Sequence, residues 1–353
     1  MCIRDRNLKD AKAVAGIFRE KLGKEYGEAV KSATVKYREY GTFGGNYKAL
    51  GARTIMFNWR QVYMDANTRL KLYDEYIANH YLAQFTRDVL EKKASRTCGE
   101  PCIALCKKVR EKYKIDYEVY SANGPICGVF DLYEANKAVH VVDAMGFDAI
   151  EFGNVCGWLM EALHRGLLKP EEVGASSTPK FDVEGFNLTE DSRHNAKIVA
   201  EIAKAVAYGT TEIAKLVGEG ERRAAKKLNE KLADRVREKG VSFTDVAVYV
   251  PFGLDGAITP CQYWDVAFLV PLPMQGTFMT AYHQPFMEPE EFARKCAERL
   301  AKELYSENGG FCRFHRGWYE KMAELLMEEA VGVKINLYEH SKEIVKKIID
   351  YNV

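Results

Sequence analysis

The sequence predicts a mainly α protein, with two helical domains, long irregular loops and few short strands. Apolar residues recur at helical spacing over most of the 353 residues, while period-two alternation is confined to short pieces. Glycine and proline clusters punctuate the helical stretches instead of separating regular strands. A chain of this length, 47% hydrophobic and 29% charged, has enough material for two domains and a substantial core.

The first six residues, Met1 to Arg6, begin no recognisable element and read as a scar or an arbitrary start, so the first domain is taken as 7–212. From Leu8 to about Ala33, Ala11, Val14, Ala15, Ile17, Phe18 and Leu22 form one amphipathic helical stripe. The glycine-rich stretch Tyr40 to Asn46 reads as a turn between helices, or as a close approach of backbone to a ligand. Trp59 to Lys93 holds many aromatics and neither proline nor glycine, which predicts one or two packed helices. Ile115 to Tyr120 alternates, predicting a short strand that carries Glu118 between Tyr117 and Val119.

Asp131 with Glu134 forms a capping box for a helix over Leu132 to Met145, ended by Gly146. A second helix is expected near Asn154 to Leu167, then a surface loop over 169–182, then helices at about 192–207 and 221–239. The domain boundary is placed between Gly209 and Gly220, giving a second domain over 213–353. Ala247 to Pro285 differs in kind: five prolines, several aromatics and few charges make it an irregular apolar segment suited to lining a pocket. Its polar-tipped groups are Tyr263, Trp264 and His283, and His283 on its own reads first as a structural residue. Glu288-Pro-Glu-Glu opens a helix to about Tyr305, and helices over about 317–331 and 339–351 finish the chain.

A formal net charge of +1 supplies no broad basic face for nucleic acid. No apolar run is long enough for a membrane span, and the first thirty residues lack a signal-peptide core. Nine cysteines, three of them in one loop, suit metal chemistry in a reducing cytoplasm better than a disulfide framework.

That loop is the densest chemistry in the chain. Cys98, Cys102 and Cys106 lie within nine residues, with Gly99 and Pro101 breaking any helix between the first two. One further thiolate closes a four-sulfur site, and Cys312 is the candidate. The spacing leaves an iron–sulfur cluster, a zinc ion and buried thiols all open. Glu118, in apolar company, has the setting of a general acid or base, against the plainer reading of a strand glutamate facing water. Asp143-Ala-Met-Gly-Phe-Asp148 and Glu307-Asn-Gly-Gly-Phe-Cys312 repeat one pattern after a helix: acid, two residues, Gly, Phe, then a hydrogen-bonding or metal-capable side chain. Carboxylates beside such a turn can accept from the N–H groups of a heterocycle, although six residues coincide easily.

With these features together, the chain resembles the tungsten-containing aldehyde:ferredoxin oxidoreductase family. The segments Val248 to Gly253, Gln262-Tyr-Trp264 and Cys312 to Trp318 look nearest its formaldehyde and glyceraldehyde branch. The resemblance implies that Cys98, Cys102, Cys106 and Cys312 bind a [4Fe–4S] cluster. It also implies that the turns Asp143, Gly146, Phe147, Asp148 and Glu307, Gly310, Phe311 hold a tungsten (or molybdenum) bis-pterin, with cofactor and cluster between the domains. By the same resemblance Glu118 is the active-site glutamate, His283 falls near the active-site histidine, and Tyr263 is its neighbour.

The implied activity is oxidation of an aldehyde to a carboxylic acid, with electrons passed to ferredoxin. A basic rim of Arg96, Lys107, Lys108, Arg110, Arg313 and Arg316 would attract that acidic partner. A homodimer is one assembly open to the chain. Two departures stand out. Three residues separate Cys98 from Cys102 where the family commonly has two, and Glu307 stands where it usually has Asp. Family members are also longer and begin with a β-rich domain over the pterins, so a chain starting at Met1 is expected to lack that cover. The alternative is a non-catalytic iron–sulfur electron-transfer or scaffold subunit, which needs the cysteines but neither Glu118 nor the turns.

Overall fold

Helices follow the apolar stripes along nearly the whole chain. The structure, a computed structural model, describes residues 11–98, 102–259, 288–308 and 312–352. The stripe expected over Leu8 to Ala33 divides into Ala11–Leu22 and Tyr26–Leu50, because Gly23 between them takes φ +63°. The second is two helical stretches joined across a kink within the glycine-rich segment, where a turn between helices is expected. Its helical angles fail only at Gly41, with φ 60° and ψ −170°.

The glycines serve close approach. A Cβ on Gly41 would stand 2.6 Å from Lys108 Cγ and 3.3 Å from the Cys106 carbonyl oxygen, and one on Gly45 would stand 2.9 Å from the Lys36 side chain. Helical backbone continues from Ala66–Leu72, where Asp65 accepts from the N–H groups of Asn67 and Thr68, through to Leu90. Two of its stretches, Tyr73–Tyr81 and Thr86–Leu90, widen to π-type turns.

The strands are few and short. Ser95–Arg96, Lys107–Arg110 and Tyr113–Lys114 form an antiparallel sheet in that order, and Val250–Phe252 pairs with Gly256–Ile258. Tyr117–Ala122 is a helix, which corrects the strand expected there. Ile115, Tyr117 and Val119 do alternate, but the buried set is Tyr117, Tyr120 and Ser121, a helical i, i+3, i+4 face.

The larger core gathers Phe43, Tyr81, Tyr117, Phe130, Trp158 and Phe243 around the helix Ala149–His164. That helix lies against the 117–127 segment at close range: a Cβ on Gly153 would meet the Ala122 carbonyl carbon at 2.6 Å, and one on Gly157 would meet Ile126 Cγ2 at 2.6 Å. A smaller core joins Phe18 and Val30 to Tyr305, Trp318, Tyr319 and Leu326. The helix Tyr26–Leu50 contributes to both.

Candidate redox site

The cysteine loop is the connection of a hairpin. Arg96 pairs with Lys107 at its base, so Cys98 and Cys106 leave and rejoin the sheet close together. Cys102, on the loop between them, packs against the smaller core. Its Sγ accepts from the Ala104 N–H at 3.4 Å and lies 3.2 Å from His315 Nε2. Cys312 precedes the short turn Arg313–His315, whose last N–H donates to the Cys312 carbonyl at 2.9 Å.

The helix Tyr26–Leu50 holds both pieces. Gly41 abuts the Cys106 backbone, Tyr37 stacks on Phe314 with ring centroids 3.8 Å apart, and Gly317 lies over Ala33. The thiols act on one another electrostatically. Burial first pushes the Cys106 thiol above its usual range, Lys114 opposes this, and Cys98 and Cys102 add to it. Cys312 is exposed as a residue, yet atoms packed about its sulfur raise its thiol, the Phe314 N–H lowers it, and Cys106, Cys102 and Cys98 raise it further. Among the described residues no three Cys, His, Asp or Glu side chains stand close enough to hold one metal ion. The four thiols share one neighbourhood, since Cys106 feels Cys98 and Cys102, and Cys312 feels all three.

Glu118 stands in the first turn of Tyr117–Ala122, half-buried. The same long helix fixes it: the Thr42 hydroxyl donates to Asp116 Oδ1 at 2.9 Å and accepts from the Tyr117 N–H at 3.2 Å. Lys36, one turn before the glycine stretch, donates to Asn46 Oδ1 at 2.7 Å. Burial lowers its ammonium below the usual lysine range, and the Glu118 carboxylate pulls it back up.

The end of the Glu118 helix is tied to the first repeated turn. Asn123 Nδ2 donates to the Ala149 carbonyl at 2.7 Å, where the Ala149–His164 helix begins. Asp148 caps that helix by accepting from Ile150 and Glu151 at 2.8 and 3.0 Å. Phe147 stacks on Phe152 at 4.4 Å, and Gly146 takes φ +81° with open space where a Cβ would be. Asp143 and Asp148 are both exposed.

Tyr263, His283, Gly310 and Phe311 lie outside the described residues, and only the helical backbone of Glu307 is described. The expected basic rim is thinner than the sequence suggests. Lys108 is buried, its Nζ donating to the Arg38 carbonyl at 2.7 Å and to Ser95 Oγ at 3.2 Å. Arg110 lies over the Tyr133 ring at 4.5 Å, while Arg96 remains exposed. His315 is the residue that sequence reasoning missed. Its trace was the spacing Cys312, His315, Trp318, which sets three chemically distinct side chains on successive turns.

A family model for aldehyde ferredoxin oxidoreductase, domains 2 and 3, matches residues 21–350. The chain belongs to this family. A glyceraldehyde-3-phosphate:ferredoxin oxidoreductase of Pyrococcus furiosus is 43% identical over 354 residues, taking in 98% of this chain and 54% of that protein. An uncharacterised protein of Methanocaldococcus jannaschii is 38% identical, over 99% of this chain and 57% of its own length. A tungsten-containing aldehyde ferredoxin oxidoreductase of Pyrococcus horikoshii is 25% identical over 65% of this chain and 36% of its own length. The chain thus spans about half the length of the first two relatives. Among the described residues no helix is long and apolar enough to cross a membrane.

Proposed function

We propose that this aldehyde ferredoxin oxidoreductase family chain carries the redox half of a cytoplasmic enzyme that oxidises an aldehyde to a carboxylic acid and delivers the electrons to ferredoxin. The observation that supports this reading is that the cysteine loop at Cys106, the Cys312 segment at Phe314 and the Glu118 helix at Tyr117 all meet the kinked helical segment Tyr26–Leu50. A cluster fits the donor set. The thiols come from two segments and influence one another, and four cysteine thiolates are a donor set that a [4Fe–4S] cluster uses. The turn from Asp143 to Asp148 suits a heterocycle, since its acids are exposed and its glycine faces open space.

In this reading Cys98, Cys102, Cys106 and Cys312 would hold a [4Fe–4S] cluster, and the two repeated turns a tungsten bis-pterin. When bound, these groups supply a two-electron acceptor and a one-electron exit. Aldehyde and water give carboxylic acid, two protons and two electrons. Glu118 takes one proton, and the Lys36 ammonium favours the ionised carboxylate that does so. His283 and Tyr263 would orient the carbonyl oxygen.

The first test is the metal content of anaerobically purified chain. Iron near about four atoms per chain supports the cluster, tungsten beside it supports the pterin sites, and zinc alone overturns both. Glu118→Gln in the holoenzyme is expected to remove about 10²-fold or more of aldehyde oxidation. Unchanged turnover would leave an iron–sulfur electron carrier as the better description.

A further inference from the structure

His315 is buried between Cys102 and Trp318, and both of its ring nitrogens are engaged. Indole N–H groups only donate, so the 3.1 Å contact from Trp318 Nε1 makes His315 Nδ1 an acceptor. A neutral imidazole with Nδ1 accepting carries its proton on Nε2. That nitrogen faces Cys102 Sγ at 3.2 Å. Trp318 is itself fixed, buried with Phe18 and Tyr26 around its ring at centroid distances of 5.3 and 5.6 Å. Cys102 Sγ thereby receives two N–H groups, one from the Ala104 backbone and one from an imidazole oriented by the indole behind it.

We infer that His315, locked in one tautomer by Trp318, is a positioning residue that sets the reduction potential of the cluster through an Nε2–H···Sγ hydrogen bond to Cys102. This rests on the four thiols holding an iron–sulfur cluster as proposed above. A hydrogen bond to a ligating sulfur stabilises the more negative, reduced form, so its loss lowers the potential. The effect concerns one electron entering or leaving the cluster, exchanged with a ferredoxin-class carrier, and no bond is made or broken at His315.

The test is a mediator-poised redox titration followed by electron paramagnetic resonance, with iron counted per chain, on the full chain and three variants. His315→Leu removes the donor, and at fixed poise its ratio of reduced to oxidised cluster should fall about tenfold, which is ~59 mV for one electron. His315→Gln keeps an N–H near the sulfur and should stay within about twofold of the parent. Trp318→Phe frees Nδ1 and should fall between the two. Iron lost from the Leu variant but kept by the Gln variant at the parent potential also supports the role. An unchanged potential in iron-loaded His315→Leu overturns it, as does equal loss of iron or potential in both His315 variants. A parent chain that binds no iron overturns this inference and the cluster reading together.

Discussion

The two halves of the candidate site are built differently although one helix serves both. Around Glu118 the parts are cemented: Gly153 lies on Ala122, Asn123 bonds Ala149, Tyr81 Oη donates to the Tyr120 carbonyl, and the ring of Tyr117 is fully buried. Around the thiols the parts are hung. Cys98 and Cys312 are exposed, and the loop is tied at points: the Arg96–Lys107 pairing, the contact at Gly41, Lys108 Nζ on the Arg38 carbonyl and Cys102 beside His315. On the proposed function, a base has to be held in place before the reaction, whereas ligands of a cluster would be cross-linked by the cluster itself, so the second half would need less protein to define it.

Four substitutions test that contrast. Gly153→Val has the largest expected effect, because the new Cβ meets backbone of Ala122, which cannot yield as a side chain would. A loss of about 3 kcal/mol is expected in denaturant unfolding, with iron per folded chain unchanged. Iron lost in proportion to stability would mean that the halves are not separable.

Gly41→Ala should cost about 2 kcal/mol, since φ of 60° and the clash with Lys108 both penalise a side chain. Here the diagnostic readout is iron release, expected at lower denaturant than the loss of helical circular dichroism. Thr42→Val removes one donor and one acceptor that join Asp116 and Tyr117 to the long helix, for about 1 kcal/mol. It should lower kcat more than KM, and a pure KM effect would place Glu118 outside the chemical step.

Much of the helical framework was legible because a stripe of apolar residues is also what a helix needs to bury. The capping role of Asp131 and the helix ahead of Gly146 follow from side-chain chemistry local to a few residues. What misled was local pattern with a nonlocal cause. Tyr117 to Tyr120 alternates convincingly, yet Thr42, 75 residues away, caps it into a helix. The kink at Gly41 was legible from its glycines, but nothing in the sequence announces that Lys108 and Lys36 will occupy the space Gly41 and Gly45 leave. His315 escaped notice for the same reason: its partner Cys102 is 213 positions away.

The smallest expected effect concerns Glu221, on the cemented side. Its carboxyl is fully buried, with Oε1 accepting from the Val248 N–H at 2.8 Å and no hydrogen-bond partner for Oε2 among the described residues. Burial pushes its pKa well above the carboxylate range, the Val248 N–H opposes this, and Glu151 adds to it. The folded state thus holds a proton that the unfolded state gives up, so its stabilising contribution is full below about pH 4.5 and is lost as pH rises through the folded pKa. Glu221→Gln should remove that decline, raising stability relative to the parent more at pH 8 than at pH 4. Equal melting temperatures of the two proteins across that range would mean that the carboxyl is not buried in solution.

The 213 positions between Cys102 and His315 also set a clock on biosynthesis. At ribosomal speeds of ~5–20 residues per second, the loop thiols wait roughly 10 to 40 s for the last thiolate and its imidazole neighbour to be made. During that interval the three loop sulfurs are displayed without the segment that carries the fourth. On the cluster reading, iron and sulfide could be bound by all four thiols only once translation has passed Cys312.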